Sequence, residues 1–125
     1  MDLRKLQKVI VAALEDIKAH DIEVINTTRL TSLFDRIVIA SADSGRQTKA
    51  LARHVQDRAR ESGGEVVGVE GEDSGEWVLV DLGDIVVHIM QPAVRSYYNL
   101  EELWTVKPVR AARRTAGAAE QPGPV

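Results

Sequence analysis

The sequence predicts an α/β (α+β) two-layer sandwich, a mixed five-stranded sheet with helices mainly on one face. Two long stretches repeat apolar residues at helical spacing, and five short ones are rich in β-branched residues. Their order, α-β-β-α-β-β-β-α, leaves too few helices to cover both faces of such a sheet. With 125 residues and no internal repeat, the chain has room for one domain and one core.

Leu3, Leu6, Ile10, Ala13, Leu14 and Ile17 recur at spacings of three and four. Arg4, Lys5, Lys8, Glu15 and Lys18 lie opposite, so residues 3–18 read as an amphipathic helix ending near 19–21. Residues 22–27 are β-branched and read as a strand, and 28–33 as a short connection with one helical turn. Residues 35–41 form an apolar run bounded by polar residues, which predicts a buried strand. Asp43 or Ser44 then caps a helix with Leu51, Val55 and Ala59 inward, which Gly63-Gly64 stops just after Ser62. Residues 65–69 read as a strand and 71–75 as a polar loop.

Residues 76–104 hold four of the five aromatic side chains and open with a β-hairpin turning at 81–84. A two-residue loop at Gly83-Asp84 sets Leu82 opposite Ile85, Val80 opposite Val87 and Val78 opposite Ile89. These six aliphatic residues share one side, the core face. Trp77, Leu79, Asp81, Val86, His88 and Met90 share the other. A loop at Leu82-Gly83 changes the partners but keeps both sets. Indole and thioether groups are enriched in protein interfaces, so the second side reads as a docking face. The alternative is that the C-terminal segment covers it, with Trp77 under Tyr97 or Tyr98. Gln91-Pro92 ends the hairpin, and Asn99 caps a last short helix over 100–104. The domain is expected over 1–104. Residues 105–125, rich in Ala, Arg, Gly and Pro without period, read as a disordered basic C-terminal tail.

The net charge of −3 is unevenly spread. Residues 1–104 carry 12 Lys and Arg against 18 Asp and Glu, whereas the tail balances at +3. An acidic body disfavours primary nucleic-acid binding and suits a basic protein partner. With no cysteine there is no disulfide or thiolate metal site. The N-terminus lacks an apolar signal core and no run approaches ~20 apolar residues, so a cytoplasmic location is expected.

The three histidines, His20, His54 and His88, form no zinc pattern. His88 beside Asp81 has the composition of an acid–base pair, but an interface or structural hydrogen bond is the better reading. Residues 41–46, a strand-to-helix junction, offer an anion their backbone N–H groups, as any capped helix after a strand does, and Arg46 reads better as a surface or interface residue than as a phosphate ligand. Glu101 and Glu102 suit a helix N-terminus.

A collinear set of motifs spans residues 3–104. They are Lys18-Ala19-x-Asp21-Ile22, Asp35-x-x-Val38-Ile39-Ala40, Ser44-x-Arg46-Gln47, Glu70-Gly71, Trp77-Val78-Leu79-x-Asp81-x-Gly83-Asp84, Val87-His88 and Arg95-x-Tyr97-Tyr98-x-Leu100-Glu101-x-Leu103-Trp104. The chain resembles the ribosomal silencing factor family (RsfS, also called iojap or YbeB), most specifically over the hairpin and the block to Trp104. It departs from the family at Ala42, where glycine is common. The resemblance implies a nucleotidyltransferase-like architecture without enzymatic activity or cofactor. It implies binding to the large ribosomal subunit through ribosomal protein L-fourteen, on the face that meets the small subunit. Joining would be blocked sterically, and translation lowered in nutrient-poor or stationary conditions. Homodimers off the ribosome are implied too. Organelle relatives point to a large-subunit assembly factor as the alternative, and a nucleotidyltransferase-like enzyme is a remote third. Joined to the hairpin argument, the expected partner-binding residues are Trp77, Leu79, Asp81, His88 and Met90, followed by Arg95, Tyr97 and Tyr98. The tail is a candidate auxiliary contact to ribosomal RNA.

Overall fold

The computed structural model describes residues 2–104. The expected tail, 105–125, lies outside them. Helix α1 (Leu3–Asp16) starts at Asp2, whose side chain accepts from the Arg4 N–H at 3.4 Å. It ends before Lys18, which has positive φ. Strand β1 (His20–Asn26) begins two residues earlier than the β-branched run suggests, with an irregularity between His20 and Glu23 where Asp21 has φ 51°. Residues 27–35 make one turn, closed by the Thr31 N–H donating to Thr27 O. Strand β2 (Arg36–Ser41) is buried from Ile37 onward.

Helix α2 (Gly45–Glu61) is capped by Ser44, whose Oγ accepts from the Gln47 N–H at 3.1 Å. Its end is a Schellman turn: Gly64 N–H donates to Ala59 O, Gly63 N–H to Arg60 O, and Gly63 takes φ 92°. Strand β3 (Gly68–Glu70) is shorter than the 65–69 expected and starts later. Its partner, β4 (Trp77–Asp81), runs out: Gly68 pairs with Asp81, where the hairpin turn begins, so nothing remains for Glu65 and Val66 to pair with. Strand β5 (Ile85–Met90) completes the hairpin.

One helix was not expected. Residues 92–98 form α3 (Pro92–Tyr98). Proline at a helix's first position gives up an N–H that has no partner there anyway, so Pro92 both ends the hairpin and starts a helix. Asn99, in the left-handed conformation, ends α3, and α4 (Leu100–Trp104) follows.

The strand order is β1-β2-β5-β4-β3. Only β2 and β5 are parallel, so the sheet is mixed. The chain leaves β2, crosses one face as α2 and returns from the far edge to place β5 in the centre. Leu6, Ile10 and Leu14 of α1 and Leu51, Val55 and Ala59 of α2 pack on Val38, Val78, Val80, Val87 and Ile89. On the other face a smaller cluster joins Ile37, Ile39 and Met90 to Val94, Leu100 and Trp104. The helices are thus mainly on one face, with α3 and α4 closing one end of the other.

Candidate functional site: the second face of the hairpin

The hairpin register places Val78 opposite Ile89, Val80 opposite Val87 and Asp81 opposite Val86, with Leu82 N–H donating to Ile85 O at 2.9 Å. Gly83-Asp84 is therefore the loop, and Gly83 supplies its positive φ. All six aliphatic residues of the first set lie in the main core. The mixed set faces away from α1 and α2, as parity requires.

The face is divided. Met90 is fully buried beneath α3 and α4 and offers no surface to a partner as the protein stands. Trp77 is half-buried: its ring meets Tyr98 at 4.9 Å between centroids, and its Nε1–H donates to His88 Nδ1 at 3.0 Å. Tyr97 stacks edge-on against Tyr98 and stays 81% exposed. Tyr98, not Tyr97, covers the indole.

His88 does not pair with Asp81. Asp81 Oδ1 accepts from the Gly83 N–H at 2.9 Å and holds the hairpin turn, while His88 takes the indole. Because an indole N–H only donates, Nδ1 must be an acceptor and the neutral imidazole carries its proton on Nε2. Burial pushes the His88 pKa down to about 4, so it is uncharged at neutral pH. The acid–base reading of this pair finds no geometric support.

Arg95 is enclosed, its side chain only 12% exposed. Nε and Nη2 reach Glu101 Oε2 at 2.9 and 2.8 Å, and Nη1 donates to Asp21 O and Ser41 Oγ at 2.6 and 2.8 Å. The guanidinium pins α3 to β1, β2 and α4 and is not presented outward. The junction at residues 41–46 likewise has internal partners. Asp43 accepts from His20 Nε2 at 2.8 Å, its N–H donates to Gln47 Oε1 and the Gln47 N–H to Ser44 Oγ, so backbone donors of the junction are already engaged. The two carboxylates beside His20, Asp21 first and then Asp43, raise its pKa. Among the described residues no group of three or more His, Cys, Asp or Glu side chains is placed to hold a metal ion, and no helix is long and apolar enough to cross a membrane.

The uncovered half of the face is a groove of about 600 Å³. Leu79, Val86 and His88 form its floor. Leu33, Phe34 and Trp104 wall one side, with Phe34 and Trp104 edge-to-face at 5.4 Å. Val67, Glu70 and Asp81 wall the other. Leu33 and Val67 are 79% and 64% exposed, so apolar surface continues over both rims. Of these wall residues, Asp81 alone is among the expected site residues. Leu33-Phe34, an apolar pair inside a polar connection, is the signal for one wall, while Trp104 and Glu70 stand in the motifs without pointing to a groove. A neutral apolar cleft with two carboxylates at its edge can seat an apolar side chain flanked by cationic groups.

The family model described as "Ribosomal silencing factor during starvation" matches residues 1–123. A ribosomal silencing factor of Chromobacterium violaceum is 55% identical over 104 residues, covering 83% of this chain and 85% of the relative. A crystal structure of a Chromobacterium violaceum protein superposes with TM-score 0.82 at 54% identity, covering 87% of this chain and 92% of that one. A more distant relative, the mouse "Mitochondrial assembly of ribosomal large subunit protein 1", is 33% identical over 79% of this chain and 45% of its own length.

Proposed function

The chain belongs to the ribosomal silencing factor family, and from that premise we propose that it binds the large ribosomal subunit and blocks joining of the small one. The contact is a basic ribosomal protein, L-fourteen by the family resemblance, and the docking surface is the groove with its aromatic shoulder at Trp77, Tyr97 and Tyr98. The observation that carries this is the groove itself: an apolar cleft with exposed rims, edged by Glu70 and Asp81, on the sheet face that α1 and α2 leave free. Leu79 and His88 contribute directly, while Met90 and Arg95 act from beneath by holding β5 and α3 in place. The protein acts in the cytoplasm, lowers translation under nutrient limitation or in stationary phase, and forms homodimers off the ribosome. The basic tail adds a contact to ribosomal RNA. No catalysis is invoked, because a steric block needs only placement and affinity.

Sedimentation tests the reading. Large subunits are saturated with the protein, small subunits are added, and joined ribosomes are quantified. The joined fraction should fall. An undiminished fraction at saturation would sink the proposal. Val67→Lys, on the exposed rim, should weaken binding by about tenfold or more without disturbing the core, since it replaces apolar contact with a charge facing a basic partner. The mouse mitochondrial relative favours a second reading, assembly of the large subunit. Accumulation of immature large subunits on depletion, with mature subunits joining normally in the protein's presence, would select it.

A further inference from the structure

The helix layer carries a second surface, across the sheet from the groove and of opposite charge. Helix α2 bears Arg46, Lys49, Arg53, Arg58 and Arg60 against Asp57 and Glu61, a balance of +3. Helix α1 adds Arg4, Lys5 and Lys8 against Glu15 and Asp16, a balance of +1. The rest of residues 2–104 carries four basic and fourteen acidic side chains, a balance of −10. The acidic body is therefore polarised, and its net charge conceals a basic side.

The cations of α2 are aligned. At about 100° per residue, Arg46, Lys49, Arg53 and Arg60 fall within an arc of about 60° and extend along about 21 Å of helix. All four are exposed, and the buried residues Thr48, Leu51, Ala52, Val55 and Ala59 occupy the opposite side. Among the described residues none of the four makes an ion pair. Arg58, off the line, is the cation that does, with Glu61 at 3.3 Å and Asp16 at 4.0 Å. Asp57 is the one carboxylate within the stripe. Arg46 and Lys49, and Lys49 and Arg53, are like-charge neighbours at i,i+3 and i,i+4, an arrangement that costs the isolated helix a few tenths of a kcal/mol per pair. Asp57, at i+4 from Arg53 and i−3 from Arg60, offsets part of that cost at the C-terminal half of the stripe and none of it at Arg46 and Lys49.

We propose that this stripe binds the phosphate backbone of RNA. A straight row of unpaired cations repeated every turn or two complements a linear ladder of negative charge. A membrane is the poorer match, because the exposed arc has no large apolar side chain to insert. The contact reads no bases, so it is independent of sequence. The stripe and the groove lie on opposite sides of the sheet, so both can be occupied at once.

Fluorescence anisotropy of a labelled duplex RNA oligonucleotide, titrated with the full chain at several salt concentrations, tests this without ribosomes. Failure there leaves the groove reading standing, and failure of subunit binding leaves the RNA result standing. A quadruple variant, Arg46→Gln, Lys49→Gln, Arg53→Gln and Arg60→Gln, should weaken RNA binding at least tenfold. Its log–log salt slope should be shallower by about 3, while its circular dichroism and its groove-mediated binding to the isolated basic ribosomal protein stay unchanged. A companion variant neutralises Lys107, Arg110, Arg113 and Arg114. The proposal is overturned if the full chain does not bind the duplex, or if neutralising those four removes the affinity while the α2 variant retains it. It is equally overturned if anionic vesicles or an acidic peptide of equal charge bind the stripe as tightly as RNA does.

Discussion

At the scale of residues, His88 decides how the hairpin's second face responds to acid. Its pKa, about 4, lies below the 6.5 of an unperturbed imidazole, because burial disfavours the charged form. Between those values the unfolded chain binds more protons than the folded one, so stability rises with pH across that window and is flat above it. A shift of this size corresponds to about 3 kcal/mol. His20 has the opposite sign. Its pKa is raised by hydrogen bonds to Asp21 and Asp43, so its contribution is full below 6.5 and is lost as pH climbs through the raised value. Urea midpoints followed by tryptophan fluorescence from pH 4 to 8 should therefore climb from the acid side. His88→Asn keeps an acceptor for the Trp77 N–H but does not titrate, so it should flatten most of that climb. An unchanged climb in His88→Asn would show that another group is responsible. Trp77→Phe removes the donor and leaves Nδ1 buried without its partner, which should cost about 1–2 kcal/mol at neutral pH.

At the scale of elements, the cover at the Trp77 end depends on how α3 and α4 are fastened. The four residues 91, 92, 95 and 99 do this by different means: a side-chain amide that donates to Gly75 O, a proline start, a guanidinium and a left-handed stop. Arg95 carries most of it, since its hydrogen bonds reach Asp21, Ser41 and Glu101. Arg95→Ala should cost about 2–3 kcal/mol, because it leaves Glu101 without its main cation and releases α3 from β1 and β2. Hydrogen exchange should then rise across residues 91–104 before it rises in α1 and α2. Uniform exchange across the domain would show that α3 and α4 are not a separable cover. Arg95→Lys should recover little, as an ammonium cannot span three partners in a fork. The β3–β4 connection is equally specific. A Cβ on Gly71 would sit 2.0 Å from the Trp77 carbonyl oxygen, and φ there is 87°. Gly71→Ala should therefore lower stability by more than about 2 kcal/mol, read as a fall in Tm. The sequence made the hairpin and its two faces readable because parity along a strand is fixed by geometry. The exit from the hairpin was harder to read, because Pro92 stops a strand and starts a helix with the same ring.

At the scale of the whole molecule, the two faces of the sheet differ in chemistry, and only one difference was readable in advance. Periodicity separates core from surface residue by residue, so the aliphatic and mixed sides of β4 and β5 followed from the sequence. Which loops rise to wall a groove does not. Leu33, Phe34 and Val67 come from connections that are distant in sequence and meet only through the order β1-β2-β5-β4-β3. Charge behaved similarly: an acidic body suggests a basic partner, but not that α2 carries the reverse sign on the far side. Such polarity should orient encounters. Approach of a basic ribosomal protein to the groove is attractive from the sheet side and unfavourable from the helix side, so association should be steered and salt-sensitive. Stopped-flow mixing with the isolated ribosomal protein should give an association rate that falls severalfold between about 50 and 200 mM salt, over which screening shortens to under 10 Å. The dissociation rate should change much less. Glu70→Gln, at the groove's edge, should lower the association rate and leave dissociation nearly unaltered. Val67→Lys, which spoils the apolar seat, should act mainly on dissociation. If both variants altered only dissociation, the acidic rim would be a short-range contact, and the polarity of the molecule would play no part in finding its partner.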